Sequence, residues 1–226
     1  MKSYILKALL LGLALLALSY HRSELQAPAI VNKTQAVEVV SLTPSGPLGP
    51  NYQSYELVLR NVSAKNIDGY SIAFGRNASV TGDLTSASRL IAPGDQFQEV
   101  LSEANNIVIR YVIFEDGLIQ GDAGAASELL DRREGMRLEL ERIAPLLNAA
   151  GVSTDIDQLK AQLRALPAEA AAPGRSAYVT LGMRNAREDT LLDIEKLDKS
   201  DLRAGLARLV EQHSKRLMHL TKRNNL

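Results

Sequence analysis

The chain has 226 residues, in which 26 Lys and Arg balance 26 Asp and Glu, and it has no cysteine. That length suits one medium domain with an extension, or two small domains. Zero net charge removes the field that would steer the chain to nucleic acid or acidic lipid, and the absent thiols exclude disulfides, Cys-ligated zinc, iron–sulfur clusters and a lipid-accepting cysteine.

The N-terminus carries Lys2 and Lys7, then the apolar run Ala8 to Leu18, then polar residues. This is the layout of a secretory signal peptide, with Ala17 and Ser19 meeting the small-residue rule and cleavage expected after Ser19. The run is shorter than the roughly 18 apolar residues of a membrane span, although a snorkelling Lys7 could lengthen it into a retained anchor. Both readings place the rest of the chain outside the cytoplasm. Residues 20–35 read as a linker.

Composition changes near Gly121. Residues 1–120 carry 9 basic and 10 acidic side chains and nine of the ten Tyr and Phe, whereas residues 121–226 carry 17 and 16 and only Tyr178. Aromatic and β-branched residues favour strands; Leu, Ala, Glu, Arg and Lys favour helices. The expected fold class is therefore α+β by segments: an all-β unit over 36–120, then a helical hairpin or bundle region over 121–226.

The strand-like runs come in the order AVEVVSL (36–42, closed by the breaker-rich TPSGPLGPN), YELVLRNV (from Tyr55), GYSIAFG (from Gly69) and the weaker SVTGDL. RLIAPGDQFQEVL follows with a Pro93-Gly94 turn, then Ile107 to Phe114, and Asp116-Gly117 signals a hairpin into LIQ. About seven short strands in some 90 residues suit an immunoglobulin-like sandwich. The expected core is Leu57, Leu59, Ile67, Tyr70, Ile72, Phe74, Ile107, Ile109, Tyr111 and Ile113. Ile67 and Tyr70 differ in strand phase, and a bulge at Gly69 would reconcile them.

The residues Leu59, Asn61, Ser63, Lys65 and Ile67, with the later Pro93 and Gly94 and the terminal YVIFEDGLIQGD, resemble the immunoglobulin-like domains of exported bacterial proteins over residues 36–122. The resemblance implies a non-catalytic module for adhesion, spacing or protein contact. The chain has neither the Cys pair nor the Trp of antibody domains.

In the second half, Leu129, Met136, Leu140, Ile143 and Leu147 form one helical stripe, with Arg133 in one of its slots and Gly135 and Pro145 as weak points. Ile156, Leu159, Leu163 and Leu166 form the next, with Thr154 and Asp157 as start signals. PAEAAAPGRSA, near 167–177, is a linker. A third helix over about Ser176 to Leu197 aligns Val179, Met183, Ala186, Thr190, Ile194 and Leu197. Ser200 caps a fourth with Leu202, Leu206, Leu209, His213, Leu217 and Leu220.

No nucleophile elbow, phosphate loop, dinucleotide fingerprint or EF-hand spacing is present. No enzyme activity, cofactor or metal is expected. Asp116 and Asp122, flanking the last hairpin, are weak calcium candidates against a reading as turn and cap residues. His213 and His219 are six apart, not the four usual for paired helical ligands; His213 is expected at the stripe edge and His219 in solvent. Asp189, Asp193, Glu195, Asp198 and Asp201 read as solvated, locally paired acids. Lys215, Arg216, Lys222 and Arg223 are weak candidates for an anionic partner, against a reading as helix C-terminal charges. Asn32, Asn61 and Asn77 begin glycosylation sequons, of which Asn61 and Asn77 read as turn residues. The expected function is an exported interaction or structural module with a protein partner or self-association. The alternatives are a membrane-anchored sensor or envelope-assembly component with helical self-association, and an unrecognised hydrolase. No nucleic-acid partner is expected, and membrane contact only through an uncleaved N-terminal segment.

Overall fold

The computed structural model describes residues 28–49, 52–76, 78–84, 90–102, 106–150, 155–167, 176–197 and 201–224. The signal segment, His21, Asn77, Thr154, Asp198, Ser200 and most of the 167–177 linker lie outside the described residues, as do the side chains of Lys222 and Arg223. The described chain is α+β, with eight strands in two sheets followed by four helices. No helix among the described residues is long and apolar enough to cross a membrane.

One sheet is antiparallel, ordered β2 (Val37–Gly49), β3 (Tyr52–Asn61), β6 (Gln96–Leu101). In the other, β1 (Ile30–Asn32), β7 (Ile107–Phe114), β4 (Ile67–Phe74) and β5 (Ala78–Asp83) lie in that order, and β8 (Ile119–Gly121) also pairs with β7. Two elements differ from the sequence expectation. The stretch taken as linker contains β1, which pairs in parallel with β7 from Ile30 against Ile107. The breaker-rich TPSGPLG continues as β2 because three register shifts, at Val39/Ser41, Pro44/Gly46 and Pro47/Gly49, absorb its prolines and glycines.

Both sheets contribute to one apolar cluster, in which Leu57, Leu59 and Leu101 meet Ile67, Tyr70, Ile72, Phe74, Ile107, Ile109, Val112 and Phe114. All ten residues expected in the core are buried, but Tyr111 and Ile113 face the opposite side of their sheet. The cause is a pair of bulges. In β4 the pairing passes from Ile67 to Gly69, so the extra residue is Asp68 and not Gly69, and Ile67 and Tyr70 then share a face. In β7 the pairing passes from Ile109 to Tyr111, so Arg110 is extra and the inward phase changes from Ile107 and Ile109 to Val112 and Phe114.

Tyr111 and Ile113 are buried instead by α1 (Ala123–Ala149), against Ala125, Ala126 and Leu129. That sheet is covered on both faces. Helix α1 begins without slack: Gly121, at φ 101°, ends β8, and Asp122 caps the helix by accepting from Ala125 N–H at 3.0 Å. Entry and exit of the β unit also adjoin, since Lys33 N–H donates to Ile109 O at 3.0 Å and Asp122 N–H to Arg110 O at 2.9 Å. Lys33 Nζ lies 3.4 Å from the Asp122 carboxylate, bridging the two.

Helices α2 (Ile156–Ala165), α3 (Ala177–Glu195) and α4 (Leu202–Asn224) pack with the second half of α1 around Ile143, Leu147, Leu159, Leu163, Ile194, Leu206 and Leu209. Gly135 and Pro145 do not interrupt α1. Gly135 is instead a contact point: a Cβ there would lie 1.9 Å from the Val179 carbonyl oxygen, and one on Gly182 would lie 1.9 Å from that of Arg132. The two glycines let the α1 and α3 backbones touch.

Candidate functional site

The stretch Asn61–Ile67 connects β3 to β4 and is closed by its own polar groups. Asn61 is fully buried; its Nδ2 donates to Lys65 O at 2.8 Å and Ile91 O at 2.9 Å, while its Oδ1 accepts from Ser63 N–H at 3.0 Å and Ser63 Oγ–H at 2.7 Å. Gly94, at φ 83°, docks the Pro93-Gly94 turn onto this hub by donating to Asn61 O at 2.8 Å. The expected turn role of Asn61 is what the geometry describes.

The candidate calcium ligands lie at opposite ends of β8. Asp116 accepts from Lys65 Nζ and from Leu118 N–H, and the Lys65 hydrogen bond holds its carboxyl below the usual range. Asp122 is the α1 cap, and the Ala125 N–H followed by Lys33 lowers its pKa likewise. Among the described residues, no group of three or more His, Asp or Glu is arranged to hold a metal ion. Of the basic candidates, Lys215 pairs with Glu211 at 2.7 Å and Arg216 with Asp189 at 3.4 Å. Asp193 pairs with Lys196 on its own helix and Asp201 with Arg208, whereas Glu195 reaches Arg164 and Asp189 reaches Arg216 on other helices. The described acids are thus exposed and paired, two of them between helices and not locally as expected. His219 is half-buried and not in open solvent.

The buried charge lies elsewhere, at the joint between the sheet and α1. Arg133, in the polar slot of the α1 stripe, is 4 % exposed and reaches the β4 bulge. Its Nη1 donates to Asp68 Oδ2 at 2.9 Å and its Nη2 to Asp68 O at 3.0 Å, while Nε and Nη2 donate to Asp83 Oδ1 at 3.2 and 3.0 Å. The bulge frees the Asp68 carbonyl from the ladder, and Gly69 leaves room for the guanidinium, since a Cβ there would lie 2.9 Å from Nη2. Sequence showed Arg133 as an anomaly in an apolar stripe, but its partners are 65 and 50 residues away and were missed. A buried-stripe arginine together with an acid at a phase break is the signal that could have found them.

A second buried charge organises the bundle. Glu139, fully buried, accepts from Arg187 Nε at 2.6 Å and Arg142 Nη1 at 2.9 Å. The same two arginines donate to Leu166 O at 2.8 Å and Pro167 O at 2.9 Å, tying the end of α2 to α1 and α3. His213 is also buried, with Nε2 3.1 Å from Thr190 Oγ1. Thr190 gives its proton to Ala186 O at 2.8 Å, so the His213 Nε2–H is the donor and Nδ1 is a buried acceptor without a partner. Burial, then Arg216, lowers the His213 pKa to about 4, so the ring is neutral.

Between the sheets, the Tyr70 hydroxyl donates to Glu99, and its ring packs 4.8 Å from Phe97 and over Gly82. Burial, then the Glu99 carboxylate, raises the Tyr70 pKa. A groove of about 330 Å³ between the end of α1 and α4 is lined by Leu147, Asn148, Ala150, Arg203, Leu206 and Val210, an apolar lining with one cation and one amide. Each of these buried polar groups bonds across two elements and fastens them; the one hydroxyl among them that lies beside an imidazole, Thr190 against His213, is buried and gives its proton to Ala186 O. No protein-family model, curated protein or solved structure matches the chain.

Proposed function

We propose that the protein is an exported, non-catalytic interaction or structural module, in which an immunoglobulin-like sandwich and a helical bundle are held as one rigid body and recognition is through its surfaces. The single observation that carries this reading is the Arg133 joint, which commits a buried arginine and two acids to locking the helical stem onto the sheet. A flexible tether would need no such lock. The strand order supports the sandwich: β2-β3-β6 corresponds to the A-B-E sheet of the immunoglobulin arrangement, and β5-β4-β7-β8 to its C′-C-F-G sheet, around a shared core. The signal-like Lys2 to Ser19 segment supports export.

The test is fractionation of cells carrying the full chain, N-terminal sequencing of the recovered protein, and crosslinking with affinity capture from the envelope. The expected result is a chain lacking residues 1–19 outside the cytoplasm, with a defined protein partner or a second copy captured. A chain still beginning at Met1 in the membrane fraction overturns the cleaved form in favour of the anchored one. A cytoplasmic chain overturns the reading, as does a hydrolytic activity lost on substituting Asp116 or His213.

A further inference from the structure

A guanidinium withdrawn from water needs an anion, because a protein interior does not replace its hydration. Arg133, Arg137, Arg142, Arg187 and Arg216 obey that rule: each is buried or half-buried, and each pairs with a carboxylate. Arg110 and Arg132 do not. Both are half-buried, neither guanidinium has a hydrogen bond or ion pair among the described residues, and Arg132 Nε is enclosed without an acceptor. Glu128 lies one turn before Arg132 on α1, a spacing at which such charges usually pair. Its carboxylate instead accepts from the hydroxyl of Tyr178.

Three elements bring these groups to one seam. Arg110 is the extra residue of the β7 bulge, next to Tyr111, which shares a cluster with Leu129 of α1. Arg132 follows Leu129 by one turn, and its carbonyl is the point where Gly182 of α3 touches α1. Tyr178 stands in the first turn of α3. Both arginines reach both tyrosines electrostatically. Burial raises the Tyr111 pKa, opposed by Arg133, Arg110 and Arg132; the Glu128 hydrogen bond raises that of Tyr178, opposed by Arg132 and Arg110. Of the neighbouring charges, Lys33 and Asp122 cancel each other, and Arg133 is satisfied by Asp68 and Asp83. Arg110 and Arg132 then stand against Glu128 alone, with one positive charge in excess.

We propose that Arg110 and Arg132 form a binding site for a carboxylate group, at the seam where β7, α1 and the start of α3 meet. Charge and shape select the ligand. A carboxylate carries the single negative charge that the excess calls for, and its two coplanar oxygens match the fork of a guanidinium. A phosphate dianion would overshoot that excess and set the surplus against Glu128. The inference deepens the proposed interaction role by naming the chemistry a partner presents, and rests on that reading only for its biological setting. Binding is read on the purified full chain, so this site and the capture of a partner from cells can fail separately.

The probes are sodium acetate, for a free carboxylate, and a capped peptide whose only charge is one glutamate side chain, for that of a protein partner. Each is titrated at constant ionic strength while the arginine Nε–H signals are followed by NMR, with sodium chloride and, above neutral pH, sodium phosphate as comparisons. Acetate and peptide should shift the Arg110 and Arg132 signals saturably, and chloride should not. A lower midpoint for the peptide assigns the site to a protein partner, and equal midpoints assign it to free carboxylates. Arg110→Gln and Arg132→Gln should each weaken binding about tenfold, the scale of a hydrogen bond to a charged group. Glu128→Gln should tighten it about threefold by removing a like charge, and Arg76→Gln, at an exposed position, should leave it unchanged. Because neither arginine is paired, both Gln variants should keep or raise the urea midpoint of the wild type. Shifts that chloride reproduces, phosphate binding as tight as that of the carboxylates, weaker binding by Glu128→Gln, or a fall in the urea midpoint of both arginine variants overturns the proposal.

Discussion

Arg133 of α1 binds Asp68 of β4 twice, through the carboxylate at 2.9 Å and through the main-chain carbonyl at 3.0 Å. A side chain that grips both functional groups of one bulge residue senses the bulge itself. Arg133→Met removes the buried ion pair with Asp68 and should cost about 3–5 kcal/mol. Arg60→Met, which removes the exposed pair with Glu38, should cost less than about 1 kcal/mol. Urea midpoints of the two variants give the comparison, and equal shifts would contradict the joint.

The glycine contacts between α1 and α3 reverse an ordinary expectation. Ala is favoured over Gly inside a helix by about 1 kcal/mol. At Gly135 and Gly182 the added Cβ would strike a carbonyl oxygen at 1.9 Å, and the backbones must separate. Gly135→Ala and Gly182→Ala should each destabilise by about 1–3 kcal/mol. Gly124→Ala, exposed and with its nearest neighbour at 3.5 Å, should be neutral or stabilising. Thermal melting decides the sign.

His213 makes stability depend on pH. Its folded pKa of about 4 lies below the ordinary 6.5, so folding favours the neutral ring. Its contribution is complete above pH 6.5 and is lost as pH falls through the window down to about 4, a change on the order of 3 kcal/mol. The facing groups are Arg216 on its own helix and Asp193 on α3. Because surface carboxylates also titrate, the measurement is the difference between the wild type and His213→Leu in denaturation at about pH 7 and about pH 4.5. The wild type should lose more; identical losses would refute the assignment.

Asn61 should tolerate no isosteric acid. In Asn61→Asp, an oxygen replaces the Nδ2 that donates to Lys65 O and Ile91 O, and a charge is placed at a fully buried position. A loss on the order of 3 kcal/mol follows, read by urea denaturation near neutral pH. Retained stability would show that the turn does not depend on this amide.

Alternation and breakers made β3 to β7 visible in sequence because those strands are nearly regular apart from single extra residues, whereas β1 was taken for linker and the second half of the thrice-shifted β2 for a turn. Of those extra residues the one in β4 was foreseen from the phase conflict of Ile67 with Tyr70, one position late at Gly69, and the one in β7 was not. Asp68 and Arg110 each shift the phase of a strand by one, which is why Tyr111 and Ile113 face α1 although their spacing matches Ile107 and Ile109. Period-two patterns carry no record of where a bulge falls. The helical stripes were legible for the same reason as the strands, and Arg133 was legible as an exception. Its meaning was not, because a buried ion pair is defined by residues distant in the chain. The contact role of Gly135 was misread as weakness, since propensity sees only one helix at a time.

The meeting of β1 and β8 on β7 has a mechanical consequence. The chain leaves β1 at Lys33 and leaves β8 for α1 at Asp122, and both points hang on consecutive carbonyls, Ile109 and Arg110. Tension applied between the segment ahead of β1 and the helices therefore runs through one short span of β7 and the Lys33–Asp122 bridge. Because β1 lies parallel to β7, its ladder resists such a pull in shear, with its bonds loaded together and not peeled one by one. The three-stranded sheet stays outside the load path.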